Sequence, residues 1–277
     1  MDRKMKYVLG IVLMTMVLSV LVAGCTSSPM ATPTAPPIQK TTLAVFAAAS
    51  LSGAFNETKA AFEAQHRDVS IIYNFDGTQN LRTQVEQGAY ADVFASASES
   101  HMNALRIESL MNNSTIVDFA NNRLAVIVPK GNPGKINDLS DLANPGVKLV
   151  IGAKDVPVGS YTLQILDKMA NNSSYGPDYK ARVMANVVSQ ETTVNFVVSK
   201  VALGEADAGF VYVSDVPAEY KDKVSAIAIP DSLNVIAVYP IGVLQGSKNP
   251  DAARSFIDFV RSPEGKAILA RYGFTPA

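Results

Sequence analysis

Apolar positions fall into three regimes along the chain. From Tyr7 to Gly24 no charged residue interrupts a mostly apolar run of 18 residues. Thr, Ser, Ala and Pro then dominate residues 26–38, with prolines at Pro29, Pro33, Pro36 and Pro37. From Thr42 onward, short apolar runs alternate with stretches whose apolar residues recur at helical spacing, the pattern of βαβ units around a mostly parallel sheet. The runs predict strands at Leu43–Ala47, Val69–Phe75, Asp92–Ala95, Leu124–Val128, Lys148–Gly152, Gly209–Val213, Val224–Ile229 and Val235–Leu244. Among the helices, Leu51, Phe55 and Phe62 share a face after Ser50, and Leu81 and Val85 do so after Thr78. Val194, Val197, Val198 and Val201 line one side of a helix within Glu191–Leu203, which Gly204 stops. Asn249-Pro250 and Ser262-Pro263 each set a capping residue before a proline at the first helical position, and so open two terminal helices.

A chain of 277 residues is enough for one large α/β unit or for two lobes of roughly 100 residues each. At 48% apolar and 18% charged it can bury a core over most of its length. The net charge of −1 removes the basic surface that a general nucleic-acid binder needs. The single cysteine, Cys25, excludes an intrachain disulfide and a multi-cysteine zinc site. His66 and His101 lie far apart in sequence and read as surface residues, so they offer no histidine-dependent metal or catalytic constellation.

The first regime reads as a targeting segment, residues 1–24, because Arg3, Lys4 and Lys6 precede the apolar run. It ends in Leu21-Val22-Ala23-Gly24-Cys25, which resembles a bacterial lipobox. In that reading the segment is cleaved and Cys25 becomes a lipidated N-terminus. The alternative is an uncleaved membrane helix, for which 18 residues is the lower edge. Either way the rest of the chain stands at the membrane surface, with residues 25–40 as an extended tether. Residues 1–24 hold three basic residues and one acidic residue, so the remainder carries a net charge of −3.

Two helices start directly after a strand with a hydroxyl residue at the junction, Ser50 and Thr78. A helix start offers unpaired N–H groups and the positive end of its dipole, which suits an anion, and ligands of open parallel sheets sit beyond the strands' carboxyl ends. Ser and Thr are also ordinary N-caps, and position alone favours that simpler role.

Several ordered stretches resemble the periplasmic molybdate-binding proteins of ABC importers. They are Ala47-Ala48-Ala49-Ser50-Leu51, Ala91-Asp92-Val93-Phe94-Ala95-Ser96-Ala97, Val156-Pro157-Val158-Gly159-Ser160-Tyr161, Gly204 through Asp215, and Arg271-Tyr272-Gly273-Phe274. The likeness runs from about Thr42 to Ala277. It implies a type II periplasmic-binding-protein fold: two α/β lobes, each a mixed, mostly parallel sheet flanked by helices, with the ligand between them. Lobe I would be 41–123 plus 240–277 and lobe II 124–239, with crossings near Asn122–Val128 and Ile236–Leu244.

The resemblance further implies a solute-binding protein rather than an enzyme, without a cofactor, that delivers molybdate or tungstate to permease subunits from the outer face of the cytoplasmic membrane. It would act as a monomer and bind no nucleic acid. Carried over by local motif, the oxyanion-binding residues would be Ser50 and Thr78 through hydroxyl and N–H, Val158 and Val194 through backbone N–H, and Tyr212 through its phenol. On the residues alone, Val194 reads as core and Tyr212 as a buried tyrosine with a satisfied hydroxyl.

Two departures sharpen the expectation. A related branch holds its metal oxyanion with two carboxylates, and the matching positions here are Val156 and Val194. A tetrahedral anion held only by hydrogen bonds is therefore expected, with no protein–metal bond. Asp76, two residues before Thr78, would give a hydrogen-bond acceptor for hydrogen phosphate; an Asx-type turn around Gly77 is the plainer reading. Phosphate or sulfate binding by the same fold, and a hydrolase, are the competing functions.

Overall fold

The structure, a computed structural model, describes residues 40–216 and 220–277. The lipobox, Cys25 and the tether up to residue 39 lie outside the described residues. The chain from Lys40 onward belongs to one compact unit beginning at Ile38, and its strands form two sheets.

The first lobe opens with β1 (Thr41–Ala48), α1 (Ser52–Gln65), β2 (Val69–Asp76), α2 (Thr78–Glu86), β3 (Val93–Ala95), α3 (Glu99–Ile107) and β4 (Val117–Asn122). After a single residue, Arg123, the chain enters the second lobe with β5 (Leu124–Pro129) and β6 (Leu149–Gly152). There follow α4 (Pro157–Ala170), α5 (Tyr179–Ala185), β7 (Val187–Glu191), α6 (Val194–Ala202), β8 (Ala208–Tyr212) and β9 (Val224–Ala228). The return to the first lobe brings β10 (Ala237–Val243), α7 (Pro250–Arg261), α8 (Pro263–Arg271) and β11 (Thr275–Pro276). Sheet order is β11-β4-β10-β3-β1-β2 in one lobe and β7-β6-β8-β5-β9 in the other.

Both sheets are mixed, with a smaller parallel share than the apolar pattern implies. β1 pairs in parallel with β2 and β3, and β6 with β7 and β8. The strands next to the crossings run antiparallel: β4 and β3 against β10, and β8 and β9 against β5. A chain that leaves a lobe and returns must bring strands back in the opposite direction, and those strands sit inside each sheet. The crossings also differ from expectation: the first is the single residue Arg123, and the second comes before β10. β5 belongs to the second sheet from Leu124, and β10 joins the first from Ala237, so the return lies between Ala228 and Ala237.

One buried asparagine ties the two crossings together. Asn234 Nδ2 donates to the Leu124 carbonyl at 2.8 Å, and its Oδ1 accepts from Leu124 N–H at 3.2 Å and Val235 N–H at 2.8 Å. Elsewhere apolar burial dominates. In the first lobe Phe256 of α7 meets Phe55 and Phe62 of α1 edge-on at 5.8 and 5.6 Å. In the second, Val197, Val198 and Val201 are all buried on the inner face of α6. The two terminal helices differ in their caps. Ser262 accepts from Gly265 N–H as an N-cap, whereas the Asn249 amide does not cap α7 and donates to the Thr42 carbonyl at 3.2 Å.

Candidate functional site

The carboxyl ends of β1, β2 and β3 in one lobe face those of β6, β7 and β8 in the other, and helical segments begin immediately beyond them. After β1 a single 3-10 turn, Ala49–Leu51, leads into α1; α2 follows β2 across Gly77. In the second lobe α4 starts with Pro157 at its first position, and α6 starts after Thr193, whose hydroxyl accepts from Phe196 N–H. The first N–H groups of each segment have no intrahelical acceptor. The backbone N–H groups of Ser50, Thr78, Val158 and Val194 find none among the described residues.

These four starts enclose a cavity of about 20 Å³. Ala48, Ala49, Ser50, Gly77, Thr78 and Ala97 line it from the first lobe, and Val156, Pro157, Val158, Val194 and Tyr212 from the second. All five residues singled out in the sequence therefore meet there. Among the described residues no carboxylate, lysine, arginine or histidine is in the lining, whose side chains are small or apolar apart from two hydroxyls and a phenol. The space suits a group of a few atoms, not a sugar or peptide.

The polar side chains of the lining are hydroxyls, each able to donate. Thr78 is the first residue of α2, and its side chain does not cap the helix; Gly77 holds the capping position. Its Oγ1 instead accepts the Ala97 N–H at 3.2 Å, leaving the hydroxyl proton free. Ser50 lies within the 3-10 turn and makes no capping bond either; its Oγ is 3.0 Å from the Tyr239 phenol. The Tyr212 hydroxyl is buried and has no hydrogen-bond partner among the described residues. Burial, then the neighbouring Tyr239, raises its pKa well above the usual tyrosine value, so it is a proton donor at any physiological pH. A buried orphan hydroxyl costs about 1–3 kcal/mol, which makes an acceptor in the cavity the natural complement.

Asp76 does not take part. Its Oδ1 accepts from Gly77 N–H at 2.7 Å and from the Asn80 amide at 3.0 Å, an Asx-type arrangement at the start of α2. Gly77 itself is required by close approach. A Cβ there would stand 2.4 Å from the Thr192 carbonyl oxygen of the opposite lobe. Gly159, at the third position of α4, is equally crowded, since its Cβ would meet the Ala153 oxygen at 2.0 Å.

Residues without a signal in the sequence bridge the lobes beside the cavity. The Gln79 amide donates to the Thr192 carbonyl at 2.8 Å, and the Tyr161 hydroxyl to the Ala97 carbonyl at 3.4 Å. His101, read from the sequence as a surface residue, is half-buried with Nε2 3.1 Å from the Asp155 carbonyl oxygen. Burial lowers its pKa, so the neutral ring makes this contact near neutral pH. His66 stacks on Phe62 at the end of α1, away from the cleft.

The family model of bacterial extracellular solute-binding proteins matches residues 43–275. The chain belongs to this family. It is 36% identical over 259 residues to the molybdate-binding protein ModA of Mycobacterium tuberculosis, with 94% of each chain covered. ModA of Escherichia coli is 28% identical over 239 residues, covering 84% of this chain and 88% of the relative. The solved periplasmic molybdate-binding protein of Azotobacter vinelandii superposes with a TM-score of 0.73 at 20% identity, covering 84% and 98%, and shares the fold. The protein is thus an extracytoplasmic solute-binding component of the ABC-importer type, not an enzyme.

One acid lies behind the site. Asp215 accepts the Tyr212 N–H at 2.9 Å and borders a second cavity of about 150 Å³ together with Ser50, Asn195, Ser214 and Tyr220. Burial pushes its carboxyl pKa up to about 8, against the pull of the Tyr212 N–H. An unfolded aspartate titrates near 4, so folding favours the protonated form in between. Stability from this group is full below about pH 4 and is lost as pH rises through about 8. In thermal melts, Asp215→Asn should gain on the unmodified protein progressively between those pH values; a difference constant with pH would contradict the assignment.

Proposed function

We propose that this solute-binding protein captures molybdate or tungstate, as a tetrahedral dianion, in the cavity between the lobes and delivers it to the permease subunits of an ABC transporter. Ser50, Thr78 and Tyr212 donate hydroxyl protons to the anion's oxygens, and Val158 and Val194 donate backbone N–H groups, as do Ser50 and Thr78. The observation that carries this reading is the orphan Tyr212 hydroxyl aimed into a cavity whose polar lining consists of donors. The curated relatives' names point to the same ligand.

The energetics are consistent. A doubly charged anion is costly to remove from water, and donors must replace its hydration shell on every side. Hydrogen bonds to a charged acceptor are roughly twice as strong as neutral ones, and N–H groups at helix starts hold their direction without reorganising. With Val156 and Val194 where carboxylates would be needed, the metal stays four-coordinate and the protein touches only oxygens. Hydrogen phosphate would require an acceptor, and Asp76 is outside the lining, with its Oδ1 engaged by Gly77 and Asn80. Sulfate is smaller than molybdate, and donors set for the larger tetrahedron reach it less well.

Placement at the outer face of the cytoplasmic membrane follows from a lipid on Cys25, with residues 25–40 as the tether. Cys25→Ser should abolish incorporation of labelled fatty acid and release the protein from the membrane fraction or leave its leader uncleaved; unchanged labelling would exclude the lipobox.

Calorimetric titration of the full-length protein with molybdate, tungstate, sulfate and phosphate tests the ligand. Tight binding of the first two is expected, and binding of only the last two rejects the proposal. Ser50→Ala and Thr78→Ala should each weaken molybdate binding by about 1.5–3 kcal/mol, the worth of a hydrogen bond to a charged group. If neither has an effect, the site lies elsewhere. Gly77→Ala pushes a methyl group against the opposite lobe and should weaken binding by about 1–3 kcal/mol without touching a donor. An unchanged affinity would mean that the lobes need not approach this closely.

A further inference from the structure

The Ser50 hydroxyl is held from behind by a residue that does not line the cavity. Tyr239 of β10 is fully buried, with its hydroxyl 3.0 Å from Ser50 Oγ. A bond between two hydroxyls has no direction of its own, since either can donate. Here burial sets it: Tyr239 is out of reach of water, and among the described residues Ser50 Oγ is the hydrogen-bond partner of its hydroxyl, so the phenol proton has no other acceptor.

Tyr239 therefore directs its proton at Ser50 Oγ, and the Ser50 proton is left to face the cavity. We infer that Tyr239 is a positioning residue for anion capture, which fixes the Ser50 hydroxyl as a donor through the bond between the two hydroxyls. This rests on the proposed contact between Ser50 and the anion. Thr78 repeats the arrangement independently, because its Oγ1 accepts the Ala97 N–H at 3.2 Å. Both cavity hydroxyls thus have an oxygen lone pair engaged from the protein side. A hydroxyl left free to rotate would spend part of its time presenting a lone pair to a dianion, and would have to be reoriented on binding.

The phenyl ring of Tyr239 also packs edge-on against Phe119, Tyr212 and Phe274, so its hydroxyl and its ring must be tested separately. Tyr239→Phe keeps the ring. Measured by calorimetry on the full-length protein, it should raise the molybdate Kd about five- to tenfold, in the range of one lost hydrogen bond in a charged network. In a Ser50→Ala background the same change should alter the Kd by less than about twofold, because the group through which Tyr239 acts is gone. Phe119→Leu, which disturbs the packing but no polar atom, should lower the melting temperature and leave the Kd within about twofold. The inference falls if Tyr239→Phe has no effect, if its effect is equal in both backgrounds, or if Phe119→Leu weakens binding as much. These outcomes are separable from the underlying reading: if Ser50→Ala alone leaves the molybdate Kd unchanged, it is the Ser50 contact that is wrong.

Discussion

The dianion proposed as ligand must lose its water to be held between two protein lobes, and in this cavity no cation among the described residues compensates for the loss. The lining they form has no lysine, arginine or histidine. What remains is the partial positive charge at the starts of helical segments, where backbone N–H groups have no acceptor within their own helix. One such start would be insufficient. Four converge because each follows the carboxyl end of a strand, and the two sheets turn those ends toward each other. The mixed sheets, the short junctions at Ser50 and Gly77-Thr78, and Pro157 and Gly159 at the start of α4 all serve this convergence.

The same constraint sets how closely the lobes approach. For the proposed ligand, N–H groups from both sides must reach the oxygens of one small ion, so side chains at the seam have to be small. Gly77 stands almost against the Thr192 carbonyl, and Ala48, Ala49 and Ala97 complete the first lobe's wall. Around this seam the lobes are joined by direct polar contacts from Gln79, Tyr161 and His101. At the crossings, Asn234 bonds the two connecting segments together, while Asn122 stands where the chain first leaves lobe one. The proposed orientation of the Ser50 hydroxyl comes from Tyr239 of β10, the strand on which the chain re-enters lobe one.

The hydrophobic pattern is a good guide to elements that bury apolar side chains on both faces. The eight strands expected from apolar runs all occur, with ends displaced by one or two residues in most cases. β4, β7 and β11 have no comparable signature. β4 reads Val-Asp-Phe-Ala-Asn-Asn and β7 is a half-exposed edge strand, while β11 is two residues long. They are strands because a neighbour's ladder accepts them. The direction of pairing was also hidden, since apolar runs look alike in parallel and antiparallel sheets. In the site, only Ser50 and Thr78 carried a local physical signal, and that signal suited a helix cap equally well. Val158 and Val194 were reached by resemblance alone, because a backbone N–H leaves no trace in residue type.

By itself the sequence determined the class of chain: alternating α/β elements, without disulfides, thiol or histidine chemistry, and with too little positive charge to attract an anion at long range. Hydrophobic periodicity and composition suffice for that, since both report burial and charge averaged over many residues. The tertiary structure decided what a handful of polar atoms do. It turned the hydroxyl of Thr78 away from capping, left that of Tyr212 without a partner, occupied Asp76 with its own helix, and set Tyr239 behind Ser50. Each depends on a hydrogen-bond partner dozens of residues away or on a backbone group, and sequence spacing carries no record of either.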